Sequence, residues 1–410
     1  MALFVLLPLY GFSQSISLEE SLQMAHDNYP AIKQYDMVNR LRDFNVDNAA
    51  KAWLPKVSAQ VGVNAFTDII DASPQMKQIG VDQNNFVASA MVTVSKMVYD
   101  GGQTAAGQEV VKAQAEVQKR QLDVTIRDIN ERVEQIFFGI LTLDEQLRQN
   151  EILQKDLEVS SNTVKSLIKN GLANPSDLDA VSVEQAKAEQ QACVLGASRK
   201  TYLRMLGVLI GKTLDENVQV KKPEMTLPAA KDTWGVQRPE LSLYASKSRL
   251  LSTQRNQLDT RLKPTVSAMG IGMLHSKVSE MVHNATLLAG ISVSWNIGAL
   301  YTRKNDIHKL EVEQEQIDNQ REVFLFNNRL QNEDAEGNIH LLHSQLDQDA
   351  KIVTLQESIK LTNEKKVKLG TETVNELMRS VNAVSMARQQ QSLHELQLLQ
   401  AIYHSIIINQ

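Results

Sequence analysis

His340 and His343 stand three positions apart, a spacing that puts two imidazoles on one helix face, where two further ligands would complete a zinc site. No carboxylate or cysteine cluster completes one, so both read as surface histidines. Gly211-Lys212-Thr213 has the ending of a phosphate-binding loop, but only four positions separate Gly207 from Gly211 where five are required. That segment reads as a helix C-terminus. Cys193 is the single cysteine, which excludes a disulfide framework and any multi-cysteine metal motif. Within a helical pattern it is expected as a small buried side chain. Neither Gly-x-Ser-x-Gly nor His-Glu-x-x-His is present. The chain is not expected to be an enzyme, and no metal or cofactor is expected.

Chemistry this sparse turns attention to the elements. The chain has 410 residues, 42% of them hydrophobic, with only 18 glycines and 9 prolines. Stretches rich in Gln, Asn, Glu, Lys, Ala and Leu run without a breaker, which predicts very long helices. A net charge of -5 leaves no basic stripe for a phosphate backbone, so nucleic acid is excluded as a partner. Leu3, Phe4, Val5, Leu6, Leu7 and Leu9, followed by the small residues Gly11 and Ser13, predict a signal peptide over 1–13. No later apolar run has the ~18 residues of a spanning helix. Such an exported chain is periplasmic, extracellular or a barrel.

The sequence repeats itself. Asn28-Tyr29-Pro30 and Gln237-Arg238-Pro239 each open a helical pattern, and Leu54-Pro55-Lys56-Val57-Ser58-Ala59 and Lys263-Pro264-Thr265-Val266-Ser267-Ala268 each close one, at a common offset of 209 positions. Further on, Val94-Ser95 matches Val293-Ser294 and Lys169-Asn170-Gly171 matches Lys368-Leu369-Gly370, at an offset of 199. The change falls inside a hairpin loop, where length is cheap. A first repeat is expected over 14–211, with a β-hairpin at 56–95 and a long helical hairpin at 101–211. A linker at 212–234 precedes a second repeat over 235–410, with a β-hairpin at 265–295 and a helical hairpin at 300–410.

From Lys56 to Phe66 the residues alternate, Val57, Ala59, Val61 and Val63 on one face against Lys56, Ser58, Gln60 and Gly62 on the other. Alternation over about ten residues fits a transmembrane β-strand. Partner strands are predicted at Phe86–Ser95, Thr265–Leu274 and Leu287–Trp295. Trp53, Tyr99, Trp295 and Tyr301 fall at the same end of their strands, as membrane-interface aromatics would. Four strands cannot close a barrel, and an open edge in hydrocarbon costs several kcal/mol per unpaired group. The chain must therefore oligomerise, into 8, 12 or 16 strands for two, three or four copies.

After Asp100-Gly101-Gly102 no proline occurs before Pro175. The intervening helix would span about 105 Å at 1.5 Å per residue. Leu122, Ile126, Ile129, Val133, Ile136, Ile140, Leu143 and Leu147 step by four and three, slip in phase, and resume at Leu153, Leu157, Ser160 and Val164, a coiled-coil seam. Ile339, Leu342, Leu346, Ile352 and Ile359 keep part of this pattern in the second repeat. Asn174 as N-cap, Pro175 at the first helical position and Asp177 in the first turn send the chain back.

The two Pro-x-Val-Ser strand openings, the Val98-Tyr99-Asp100-Gly101-Gly102 strand exit and the tip Asn170-Gly171-Leu172 resemble the TolC-like outer-membrane efflux proteins over residues 17–410. That resemblance implies an α+β membrane protein in which three protomers build one 12-stranded β-barrel and a long-helix periplasmic tunnel. It implies as partners two further copies of the chain, outer-membrane lipid, a periplasmic adaptor and an inner-membrane pump or exporter. Asn170, Gly171, Leu172, Asp177 and Gly370 correspond to the adaptor-docking tips. Glu372, Glu376 and Arg379 fall in the segment that rings the tunnel's closed end. Glu376 stands at an acidic position of that ring, but Arg379 replaces the second acid, and a Glu and an Arg three residues apart can pair. The resemblance implies a passive exit for small molecules or proteins, and the cargo is not legible. The competing reading is a soluble periplasmic coiled-coil adaptor or spacer, for which one helical hairpin would be expected rather than two.

Overall fold

A computed structural model describes residues 15–66, 85–224, 238–277 and 284–409. The expected signal peptide, the two hairpin loops, with the length change expected there, and the second half of the expected linker lie outside the described residues. The chain divides into two compact units, Met1–Gln34 with Gln121–Leu241 and Arg321–Gln410, and Tyr35–Arg120 with Ser242–Gln320. Two helices run through both: α3 over Gln103–Lys169 and α6 over Ala299–Lys368, of 67 and 70 residues. Neither contains a proline, the residue that would break its hydrogen-bond ladder.

In the first unit, α1 spans Leu18–Asn28 and is preceded by β1 at Ser15–Ile16. Ser17 and Glu20 form a reciprocal capping box at its start, a signature present in the sequence although no helix was predicted there. β1 pairs in parallel with β4 at Gln219–Val220, inside the expected linker. Helix α4 runs over Pro175–Ile210 and ends on Gly211 in the left-handed region, φ 70°. The Asn28 amide donates to the Val208 and Leu209 carbonyls at 3.2 and 3.0 Å, which satisfies groups a helix end leaves unpaired. A Cβ on Gly211 would collide with that amide.

Val133, Phe137, Phe138 and Ile140 of α3 pack with Leu18, Leu203, Leu206 and Leu399 into the main core. Each such side chain contributes about 1.5–3 kcal/mol when fully buried. Helix α7, over Val374–Ile407, ends beneath three donors. Arg127 donates to the Ile407 carbonyl at 2.7 Å, while Arg238 and Asn328 donate to that of Ile408 at 2.9 and 3.0 Å. Two guanidinium groups there complement the negative end of the helix dipole.

The seam of α3 is buried or half-buried at every predicted position. The phase slip coincides with the buried polar pair Gln149 and Asn150, and Gln149 donates to Glu145 and Ser392. The prediction fails in part for α6. Ile339, Leu342 and Leu346 do face the core, but Ile352 and Ile359 are exposed. Heptad steps from Leu346 lead instead to Asp349, Val353, Gln356, Lys360, Asn363 and Val367, all buried or half-buried. Polar residues there made the true seam hard to see, and the two isoleucines lie on another face. Cys193 is also exposed rather than buried. It stands two residues from the buried Leu195, hence on the far side of α4.

The second unit holds α2 over Lys33–Ala50, α5 over Pro239–Thr260 and a four-stranded antiparallel sheet. Its strands are β2 (Lys56–Phe66), β3 (Asn85–Tyr99), β5 (Thr265–Lys277) and β6 (Asn284–Ser294), in that spatial order. Each hairpin pairs within itself, and β3 joins the two by pairing with β5. Among the described residues this leaves β2 and β6 as free edges.

Candidate channel and docking elements

Register decides what the sheet presents. Val57, Ala59 and Val61 lie opposite Val94, Val92 and Ala90. Val94 and Val92 in turn face Gly270 and Gly272, whose β6 partners are Ala289 and Leu287. Val266 and Ala268 extend this face to Val293 and Ile291. One side is therefore mostly apolar or glycine, with Lys96, opposite Ala268, the charged exception. The other is mixed: Ser58, Gln60, Ser89, Thr93, Ser95, Ser267, Thr286 and Ser292 share it with Met91, Met97, Met269, Ile271, Met273 and Leu288. The described residues leave the apolar side uncovered: Val61 is 83% exposed, Leu287 90% and Ile291 77%. Isolated exposed apolar residues are ordinary, whereas a contiguous face of them needs a partner. Among the described residues, no helix is long and apolar enough to cross a membrane.

The sheet gathers the predicted aromatics at one end. Trp53 lies three residues before Lys56, which pairs with Ser95; Tyr99 pairs with Val266; and Trp295 follows the pair Ser294 and Thr265. The Trp295 indole donates to the Leu262 carbonyl at 2.9 Å, and Tyr301 follows in the first turn of α6, exposed. Asp100 ends β3 here, its carboxylate accepting from the Gly102 and Thr104 amides at 2.8 and 2.7 Å. Burial alone would raise its pKa, but these hydrogen bonds outweigh that and hold it below the usual value. Gly101, at φ 67°, could not be substituted, since a Cβ there would lie 2.7 Å from the Lys263 Cβ.

The two helical turns are built alike. In the first, the Leu172 amide donates to the Leu167 carbonyl at 2.9 Å around Gly171, φ 72°. In the second, the Thr371 amide donates to the Lys366 carbonyl at 2.9 Å around Gly370, φ 72°. Both are six-to-one helix terminations that need a left-handed residue. Glycine supplies that conformation without the Cβ clash. The turns lie side by side, with the Leu172 side chain 3.7 Å from where a Cβ on Gly370 would stand. Beneath them Leu157, Val164, Leu167, Val181, Val367, Val374, Leu377 and Val381 form a shared apolar core.

Their restarts differ. Asn174 caps α4 in a reciprocal box with Asp177, whose carboxylate accepts from the Asn174 amide at 2.8 Å. Thr373 caps α7 by accepting from the Glu376 amide at 3.2 Å, which leaves the Glu376 carboxylate free to meet Arg379 at 3.4 Å. Arg379 is 81% exposed, so the pair is solvated. Glu372 lies 3.9 Å from Lys366. Asn170 and Leu172 are exposed on the first turn. Of the predicted docking residues, Leu172 and Gly370 meet across the two turns; Asn170, Gly171 and Asp177 belong to the first turn and its restart, Glu372 and Glu376 to the second.

Among the described residues, no group of three or more His, Cys, Asp or Glu could hold a metal ion, and His340 and His343 take no part in one. The polar residues that sequence reasoning missed are pairs tying α6 to its neighbours. His394 meets Asp349 at 2.6 Å, Lys360 meets Asp156 at 2.7 Å and Arg388 meets Glu357 at 2.6 Å. Their partners lie far apart in sequence, so no local signal marks them.

Residues 21–212 match the family described as outer membrane efflux protein. No match is found among curated protein sequences. Among solved structures, the outer membrane protein VceC from Vibrio cholerae aligns over 95% of this chain and 95% of its own, at 10% identity and a TM-score of 0.68. The CmeC outer membrane channel of Campylobacter jejuni aligns over 96% and 84%, at 11% identity and 0.64. The open state of the MtrE outer membrane channel of Neisseria gonorrhoeae aligns over 95% and 88%, at 12% identity and 0.65. The resemblance read from strand openings and turns therefore holds in sequence for the first repeat and in fold for nearly the whole chain. The family matched is one of transport proteins rather than enzymes.

Proposed function

Because residues 21–212 are outer membrane efflux protein sequence and the fold is that of the outer-membrane channels, we propose that the chain is the outer-membrane exit duct of a tripartite efflux or type I secretion system. Three copies form one channel with a 12-stranded barrel and a periplasmic helical tunnel. A periplasmic adaptor docks on the turns and brings cargo from an inner-membrane pump or exporter, and small molecules or proteins leave passively. The observation that carries this reading is the sheet with one uncovered apolar face and two free edges. A free edge in hydrocarbon is untenable, and an even number of antiparallel strands leaves β2 and β6 pointing in opposite directions. Each edge can therefore pair with the other edge of a neighbouring copy, and the ring closes in antiparallel order.

Helix α6 supports assembly independently. Val312, Val323, Phe326, Leu330, Leu341, Ile352, Leu355 and Ile359 are exposed and fall on one face at 3.6 residues per turn. Exposed Met37, Leu41 and Phe44 on α2 and Val194, Met205 and Val208 on α4 offer apolar surface for the next copy. Contact between two different surfaces generates a ring.

At the turns, Asn170, Gly171, Leu172, Asp177 and Gly370 meet the adaptor, while Glu372, Glu376 and Arg379 line the closed aperture. A Glu376–Arg379 pair there reduces the cation preference that acids alone would impose. Trp53, Tyr99, Trp295 and Tyr301 mark the inner membrane-water boundary. The test is fractionation followed by bilayer recording. Extraction from outer membranes only with detergent, and discrete conductance steps after reconstitution, are expected; a chain recovered in periplasmic extract without detergent removes the channel reading.

A further inference from the structure

The end of the sheet that gathers the aromatics also gathers positive charge. Lys51, Lys56, Lys96, Arg261 and Lys263 lie within a few residues of a strand end there, and Arg303 and Lys304 follow in the first turns of α6. The neighbouring carboxylates neutralise only two of them. Asp47 takes Lys51 at 2.8 Å and Asp259 takes Arg303 at 2.9 Å. Asp100 is occupied by the amides of its own turn, and Asp306 lies half-buried further along α6. Lys56, Lys96, Arg261, Lys263 and Lys304 are all exposed and have no ion-pair partner among the described residues.

Lys96 is the most telling of them. It pairs with Ala268, two residues on from Val94, and so stands on the apolar face of the sheet. A lysine well inside hydrocarbon on such a face costs about 2–4 kcal/mol, falling to about 0–1 near the interface. Its position is tolerable only where its ammonium can reach a polar layer. Lys263 lies toward the same end of the sheet, before β5 begins, its Cβ packed against the Gly101 turn, and Arg261 flanks Leu262, whose carbonyl holds the Trp295 indole.

A ligand that satisfies the whole arrangement needs an anionic group for the cations and apolar chains for the face beside them. We infer that this collar binds the headgroup phosphate of an anionic phospholipid, with Lys96 and Lys263 as its principal contacts and the acyl chains lying along Val94, Val92 and Ile291. The inference rests on the barrel reading above. Free inorganic phosphate would meet the same cations but leave the apolar face uncovered.

The test uses the full-length protein extracted in a neutral detergent and offered phosphatidylglycerol, phosphatidylcholine or inorganic phosphate, with lipid retention read by native mass spectrometry. Preferential retention of phosphatidylglycerol is expected. At about 1 kcal/mol per cation near the headgroups, each neutralised residue should reduce that preference about fivefold, and the Lys96→Gln/Lys263→Gln variant by roughly twenty-fivefold. Lys304→Gln, outside the strands, covers the case in which the double variant does not assemble, and should lose about fivefold on its own. An unchanged preference in an assembled variant overturns the inference and leaves the channel reading standing. So does displacement of phosphatidylglycerol by inorganic phosphate at equal concentration. Failure of the wild-type chain to need detergent would instead remove the channel reading itself.

Discussion

The two long helices are nearly equal in length and opposite in how they are used. Helix α3 buries thirteen apolar side chains below a tenth exposed, Phe137 and Phe138 among them, whereas α6 buries only Leu342 and Val367. In their place α6 buries Asn328, Asp349 and Asn363, and its larger apolar residues point outward along one face. The buried apolar core draws mainly on α3, α4 and α7. Helix α6 is held to that core by polar groups and carries a surface that the single chain does not cover.

That contrast separates folding from assembly, and substitutions should divide accordingly. Phe137→Ala, in the fully buried core, should cost about 3–5 kcal/mol. Thermal unfolding should show it as a loss of folded protein at growth temperature. Leu341→Glu with Ile352→Glu, on the exposed face of α6, should leave helicity intact and abolish the oligomer, which native mass measurement reads directly. If the second pair unfolds the chain as Phe137→Ala does, the two helices are not used differently.

Smaller effects sharpen the same contrast. Lys360 is 14% exposed and meets Asp156 at 2.7 Å. Removing it as Lys360→Ala leaves a half-buried carboxylate without its cation, at a cost of about 1–3 kcal/mol. A double-mutant cycle with Asp156→Asn should recover most of the loss. The polar contact at the α7 end depends on pH. Donation of a hydrogen bond from its ring to the Glu134 carboxylate raises the pKa of His404 above its usual 6.5, against the opposing effect of burial. The stabilisation it brings is complete below 6.5 and fades as pH rises through the higher folded value. The melting difference between wild type and His404→Gln should be largest near pH 5 and vanish in alkaline buffer; a difference that grows with pH contradicts this assignment. At the turns, Gly171→Ala and Gly370→Ala should each cost about 1–2 kcal/mol through the left-handed backbone. Arg379→Ala should barely move stability, the pair being solvated. In bilayer recordings it should change closed-state conductance or ion preference, and no change would remove Arg379 from the aperture.

Much of this was legible from residue order. Proline and glycine restrict backbone angles locally, so helix starts, the turns at Gly171 and Gly370 and the strand openings could be read directly. Alternation at Lys56–Phe66 assigned faces. It could not say which strands are neighbours, because the β3–β5 pairing joins residues far apart in the chain. The α6 seam was misread at Ile352 and Ile359 because hydrophobic periodicity marks any apolar face, whether a helix turns it to its own core or to another copy. Cys193 misled for a related reason, since residue type carries a burial preference but no direction. The pairs His394–Asp349 and Lys360–Asp156 left no trace, as charged residues in a long helix usually mark its solvated side.

A four-stranded sheet with two free edges closes only by adding copies, and in the proposed channel three copies close it. Native mass spectrometry of the detergent-extracted wild-type chain tests this most directly. A single species of three chains is predicted. A stable monomer, or a closed assembly of two or four, would contradict it.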